Sequence, residues 1–182
     1  MRYSYLILLF FVIVSCSTPE ARRPVEPPKT HTLASATGQL KKINKIEEAK
    51  VLAYIKNDSL VTYETSSNGY WFQYLEKKEN QKTSLETGTT VTISYEILDL
   101  NDQVIYSKEE LGAKEYIIDK EDFMLALQSG IKMMNIGETI KFVIPSPQAY
   151  GIIGDGNKIG INQSIISIVT LINIKEALKN EE

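Results

Sequence analysis

The chain has few residues of the kinds that nucleophilic and metal-assisted enzymes use. Its 182 residues include one cysteine, Cys16, and one histidine, His31, and both lie near the amino terminus. The rest of the chain therefore lacks the residues for a Ser-His-acid triad, a Cys-His pair or the usual histidine or cysteine zinc site. A disulfide within the chain is excluded, because it needs a second cysteine. These absences count against a hydrolase.

Basic residues are also in short supply relative to acidic ones. The formal net charge is -3 and the isoelectric point is near 5.4, so no basic field is available and we expect no nucleic-acid partner. With 43% apolar and 24% charged residues, the chain is of ordinary composition and long enough for one proper core. We expect one domain with appendages.

The first residues have the pattern of a secretory signal. Arg2 precedes the apolar run Leu6–Val14, which is too short to span a membrane comfortably. The run ends in Ile-Val-Ser-Cys at residues 13–16, which resembles a bacterial lipobox, in which the cysteine is acylated and becomes the mature amino terminus. The sequence therefore predicts a lipoprotein signal peptide at residues 1–15 and lipidation at Cys16. The alternative is a plain signal peptide that contains a cysteine.

Two segments separate this signal from the globular part. Residues 16–38 contain four prolines among charged and hydroxyl residues, a composition that favours an extended tether. We expect residues 39–64 to be a helical prefix, because the stretch from Leu40 to about Asn57 is rich in helix formers, lacks glycine and proline, and repeats apolar residues at three and four. We expect this helix to pack on the domain or on a partner.

The remaining sequence alternates short strand patterns with turns. Val91, Ile93, Tyr95 and Ile97 recur with period two, which predicts a long strand with one buried face, and Asn101-Asp102 predicts a hairpin turn after it. The predicted strands are Tyr70–Leu75, Thr89–Leu100, Gln103–Ser107, Lys114–Ile118, Glu138–Ile144 and Gln163–Ile174.

One short helix is predicted at Phe123–Gly130. Asp119, Glu121 and Asp122 precede it, and we expect their carboxylates to cap and complement its amino terminus rather than to form a calcium site or an acid/base pair. The sequence thus predicts an α+β fold, an antiparallel sheet wrapped around one short helix. This domain covers residues 65–175, and residues 176–182 are a charged tail.

The most informative stretch is Ile144–Gly151, Ile-Pro-Ser-Pro-Gln-Ala-Tyr-Gly. Pro145 ends the preceding strand and places Tyr150 on a loop, where it is a candidate ligand contact or packs over the sheet edge. The glycine-rich residues 151–161 lack the Gly-Lys-Ser/Thr ending of a phosphate loop and lead into a strand, so a nucleotide site is not expected.

Three motifs together resemble the FKBP-type peptidyl-prolyl isomerases. They are Val91–Tyr95, Gly130–Glu138, which is similar to the family's glycine-hydrophobic-x-x-Met-x-x-Gly-Glu turn, and Ile144–Gly151, which is similar to its Ile-Pro-x-x-x-Ala-Tyr-Gly loop. The lipobox and the helical prefix make the chain most like the FKBP-type lipoproteins associated with gliding motility. The resemblance implies an FKBP-like fold.

The same resemblance implies a proline-binding pocket. Met124 would offer a backbone N–H to the substrate, and Tyr106, Leu127 and Ser167 stand where the family has an aspartate, a tryptophan and a phenylalanine. The implied pocket residues are Tyr95, Ile105, Tyr106, Tyr116, Phe123, Met124, Leu127, Tyr150, Ile159 and Ser167.

The resemblance implies an enzyme, a peptidyl-prolyl cis-trans isomerase and folding helper of the cell envelope that needs no cofactor. Its expected partners are proline-containing envelope proteins or peptides. The expected location is the periplasm, with a lipid anchor in the membrane, and Ser17 after the cysteine favours the outer membrane. The alternatives are a weakly active or inactive protein-binding module and a structural lipoprotein that does not use the groove.

Overall fold

The computed structural model of the protein describes residues 31–58, 62–78 and 85–175, with side chains from Thr37 onward. The predicted signal peptide, Cys16 and the charged tail lie outside the described residues. The chain divides after Ala36 into two compact units, and the strands described below belong to the second, Thr37–Glu182. No helix in the described ranges is both long enough and apolar enough to cross a bilayer.

The described elements are one long helix followed by seven strands, two short helices and one 3-10 turn. In chain order they are α1 (His31–Asn57), β1 (Glu64–Thr65), β2 (Trp71–Glu76), β3 (Thr90–Leu98), β4 (Val104–Tyr106), α2 (Lys108–Leu111), β5 (Ala113–Ile117), α3 (Leu125–Ile131), β6 (Thr139–Ile144), a 3-10 turn (Ser146–Gln148) and β7 (Ile165–Lys175).

The strands form one antiparallel sheet in the order β1-β2-β6-β7-β3-β4, and β5 pairs with β3 beside β4. The hairpin predicted at Asn101-Asp102 is present, because β4 pairs with the end of β3. The longest pairing joins β3 to β7 from Thr90 opposite Lys175 to Leu98 opposite Ile166. The predicted α+β architecture, with one short helix against an antiparallel sheet, is confirmed.

The main core lies between α3 and the inner face of the sheet. Val91, Ile93, Tyr95 and Ile97 are all buried, as the period-two pattern predicts. α3 packs tightly here, since a Cβ placed on Gly130 would lie 2.5 Å from the Phe142 ring. This close approach explains why glycine occupies a helix position where alanine would otherwise be preferred.

The outer face of the sheet is also covered, by the helix that the sequence analysis expects to pack on the domain or on a partner. Val143 on β6 is fully buried although its neighbours Phe142 and Ile144 already face the main core. It forms a second apolar cluster with Leu98, Ile166 and Val51 of α1. The helical prefix therefore packs on the domain and buries the face that an isolated sheet would expose to water.

Two local predictions were wrong. α1 begins at His31, so part of the predicted tether is helical. α3 begins at Leu125 with Met124 as its N-cap, and no side chain caps it. The predicted acidic cap fails because Asp119 and Asp122 lie too far before the first helical residue. Asp119 instead accepts a hydrogen bond from Thr87 and forms a 2.6 Å ion pair with Lys132 at the other end of the helix.

Candidate active site

A shallow depression lies where the segment before α3 meets the loop after β6. It is lined by Asp122, Phe123, Met124, Ala149 and Tyr150. The chain turns here for two separate reasons: Met124 adopts an extended conformation before the helix, and Pro145 ends β6 so that the chain passes through a 3-10 turn to Tyr150. Three of the predicted pocket residues, Phe123, Met124 and Tyr150, thus share one site.

Aromatic rings form one wall of this depression. Phe123 packs edge-on against Tyr95 of β3, with 5.6 Å between ring centroids, and at 5.4 Å against Tyr116 of β5. Tyr95 and Tyr116 are themselves buried in the main core. The wall is therefore rigid, because its rings belong to the packed interior and not to a free loop.

Two potential hydrogen-bond donors belong to residues that line this depression. Burial, and to a smaller extent the neighbouring Tyr95, Asp155 and Tyr106, together raise the pKa of Tyr150 to about 12. Its hydroxyl therefore keeps its proton at neutral pH. The backbone N–H of Met124 donates to no group within the described residues. Both groups can donate to a substrate carbonyl, and for the Met124 N–H this is the use that the family resemblance implies.

The other predicted pocket residues contact or enter the core behind this wall. Leu127 on α3 is fully buried and Ile159 nearly so, while Ile105 and Tyr106 pack against the core from β4. Ser167 of β7 is fully buried opposite Ile97 and Phe142, and its hydroxyl donates to the Glu96 carbonyl at 3.1 Å.

Comparison with family models matches residues 81–172 to the FKBP-type peptidyl-prolyl cis-trans isomerase domain. The chain belongs to this family. The matched range begins before β3 and ends within β7, so it contains the aromatic wall and the Tyr150 loop, whereas α1 lies before it. No curated protein sequence matches the chain.

Solved structures give the same fold. FkpA from Escherichia coli has a TM-score of 0.61 at 24% identity, over 80% of this chain and 67% of that one. A peptidyl-prolyl cis-trans isomerase from Pseudomonas syringae pv. tomato DC3000 has a TM-score of 0.60 at 17% identity, over 75% and 96%. The N-terminal domain of FKBP42 from Arabidopsis thaliana has a TM-score of 0.55 at 21% sequence identity, over 64% of this chain and 94% of that one.

The sequence analysis of this FKBP-type domain missed Asp155. Its Oδ2 accepts a 2.5 Å hydrogen bond from the hydroxyl of Tyr106, and its Oδ1 accepts 2.8 Å bonds from the N–H groups of Asn157 and Ile159. Burial alone would raise the pKa of Asp155, but these bonds outweigh it and lower the pKa. The Asp-Gly-Asn sequence at 155–157 is a turn signal, but it cannot reveal a partner on β4.

The same loop makes a second contact with this edge of the domain. Lys158 lies over the Tyr106 ring at 4.7 Å from its centroid and pairs with Glu110 of α2 at 2.5 Å. The ion pair is exposed, so we expect a small contribution from it. Asp155 and Lys158 together hold the residues after Tyr150 against β4 and α2.

Proposed function

We propose that this FKBP-type isomerase is a lipid-anchored folding helper of the cell envelope, that it acts on proline-containing envelope proteins, and that it supports gliding motility machinery. The lipobox at Cys16, the segment that follows it and the sequence resemblance described above support the anchor, the location and the motility role. One observation carries the catalytic part. Tyr150, whose hydroxyl can donate a hydrogen bond, and Met124, whose backbone N–H can donate another, line one depression beside the aromatic wall.

Such a site lowers the barrier to rotation without transferring a proton. Resonance gives the X-Pro amide a rotation barrier of about 18–20 kcal/mol, and twisting the bond destroys that resonance. An apolar wall of Phe123 and Tyr95 favours the less dipolar twisted amide over the planar one, while Tyr150 and Met124 hold the carbonyl by hydrogen bonds. Because Tyr150 stays protonated at neutral pH, we expect kcat/KM to vary little between about pH 6 and 9.

A second candidate is a protein-binding module with little turnover. Three replacements favour it: Tyr106 has no carboxylate and engages Asp155, Leu127 is smaller than the tryptophan that the family resemblance implies, and Ser167 turns its hydroxyl to the Glu96 carbonyl. The groove would then hold a proline-containing segment of an envelope partner without accelerating its isomerisation.

A protease-free isomerisation assay with a Leu-Pro or Phe-Pro peptide separates the two candidates. We expect catalysis by the wild-type chain and a roughly tenfold fall in kcat/KM for Tyr150→Phe, the rate equivalent of one lost hydrogen bond. Tyr63→Phe is the matched control, because its hydroxyl bonds Asp58 on the outer face of the sheet. Peptide binding without catalysis at any enzyme concentration would support the binding module instead.

A further inference from the structure

Glu47 of α1 is buried although its side chain is ionisable, with 5% of its surface exposed. Its carboxylate accepts three hydrogen bonds from uncharged groups: the Ser146 N–H at 3.0 Å, the Ser146 hydroxyl at 2.9 Å and the Ser164 hydroxyl at 3.2 Å. A carboxylate withdrawn from water is costly unless donors compensate it. The three donors are therefore the reason that Glu47 is tolerated at this position.

These donors come from the two ends of one loop. β6 ends at Ile144 and β7 begins at Ile165, and these two residues pair with each other in the sheet. Ser146 opens the connection between the strands and Ser164 closes it. Glu47 therefore joins both ends of the segment that carries Tyr150.

The contact continues from Ser146 to the residues on either side of Tyr150. The Ser146 carbonyl accepts hydrogen bonds from the N–H groups of Ala149 at 3.0 Å and Gly151 at 2.7 Å. We infer that Glu47 is a positioning residue for Tyr150. The helix α1 would then help to build the isomerase site, although it lies outside the residues matched by the family model. This inference rests on the catalytic role proposed above for Tyr150.

A purely structural role for Glu47 makes a different prediction, and Val51 provides the comparison. Val51 lies one helical turn further along α1, is fully buried on the same side, and contacts Leu98, Val143 and Ile166 rather than the loop. If Glu47 only fastens the helix, Glu47→Ala and Val51→Ala should behave alike. If Glu47 orients the loop, only Glu47→Ala should change catalysis.

The kinetic test uses the full chain and the proline-peptide assay. We expect Glu47→Ala to lower kcat/KM about tenfold and Val51→Ala to change it less than about twofold, although both lower the melting temperature. Glu47→Gln should recover most of the rate, because the amide keeps the shape and an oxygen acceptor for the Ser146 N–H. In the Tyr150→Phe background, adding Glu47→Ala should lower kcat/KM little further.

A second readout does not depend on turnover. The pKa of Tyr150, about 12 in the wild-type chain, should move towards the ordinary tyrosine value of about 10 in Glu47→Ala, because a displaced loop is better solvated. NMR titration of ring-labelled tyrosine measures this pKa. The Tyr150 signal is assigned as the one that is missing from the spectrum of Tyr150→Phe. If Glu47→Ala does not fold, Ser146→Ala removes one donor to the same carboxylate and should show both effects on a smaller scale.

The outcomes separate the two proposals. Unchanged kcat/KM and an unchanged Tyr150 pKa in Glu47→Ala would overturn the inference while leaving the catalytic role of Tyr150 intact. If Tyr150→Phe leaves kcat/KM unchanged but Glu47→Ala still moves the Tyr150 pKa, the positioning role stands and the catalytic role fails. A rate loss in Val51→Ala equal to that in Glu47→Ala would also overturn the inference.

Discussion

Replacing Val51 by alanine tests whether α1 is an integral part of the folded domain. Val51 is fully buried on the outer face of the sheet, against Leu98, Val143 and Ile166. The substitution removes the equivalent of two buried methylenes, each contributing about 0.8 kcal/mol, and leaves a cavity that adds to the loss. We expect Val51→Ala to lower the free energy of unfolding by about 2 to 3 kcal/mol.

Urea unfolding followed by circular dichroism measures this loss. The transition midpoint should fall while its slope stays constant, since the surface exposed on unfolding is nearly the same. At about 2 to 4 °C per kcal/mol for a chain of this length, the melting temperature should fall by roughly 4 to 12 °C. Leu52→Ala is the matched control, because Leu52 is the next residue and 47% of its surface is exposed.

The control should change the free energy of unfolding by less than about 0.5 kcal/mol. If Val51→Ala is as mild as Leu52→Ala, α1 does not pack on the sheet in solution and the inference about Glu47 loses its basis. If both variants destabilise strongly, the exposed side of α1 is itself buried against something else, and the two faces of the helix have been assigned wrongly.

Three further predictions concern separate parts of the chain. Cys16→Ser should abolish acylation and move the protein from the membrane to the soluble fraction; persistence of both would disprove the lipid anchor. Gly130→Ala should lower stability by about 1 to 3 kcal/mol in thermal unfolding, because the added Cβ meets the Phe142 ring, and an unchanged Tm would contradict the close fit. Asp155→Asn should lower stability most above about pH 4: the folded pKa of Asp155 is below its unfolded value of about 3.9, so its contribution is present above that value and is lost as pH falls through the folded pKa. If the variant and the wild type differ by the same free energy of unfolding at pH 3 and at pH 7, the hydrogen bond from Tyr106 to an ionised Asp155 is refuted.

Local patterns predicted β2 to β7 and the FKBP-type family, whereas the short strand β1 was not predicted. The alternation of Val91, Ile93, Tyr95 and Ile97 specifies which face of β3 is buried, because side chains of a strand point alternately to its two sides. The turn at Asn101-Asp102 determines a hairpin by its own geometry. Pro145 likewise ends β6 by a local effect that does not depend on the position of the strand in the sheet. The FKBP-type motifs are continuous stretches of sequence, so they can be recognised without knowing any distant contact.

Only the tertiary structure decided which element covers the outer face of the sheet and which partners the polar groups around the site find. Val143 gives no sign in the sequence that α1 will cover it, and Asp119, which lies too far before α3 to cap it, pairs with Lys132 at the other end of that helix. The hydrogen bond from Tyr106 to Asp155 joins residues 49 positions apart, and that from Ser146 to Glu47 joins residues 99 apart. Periodicity and turn signals describe neighbours along the chain, whereas the partner of a buried polar group is set by which elements the fold brings together.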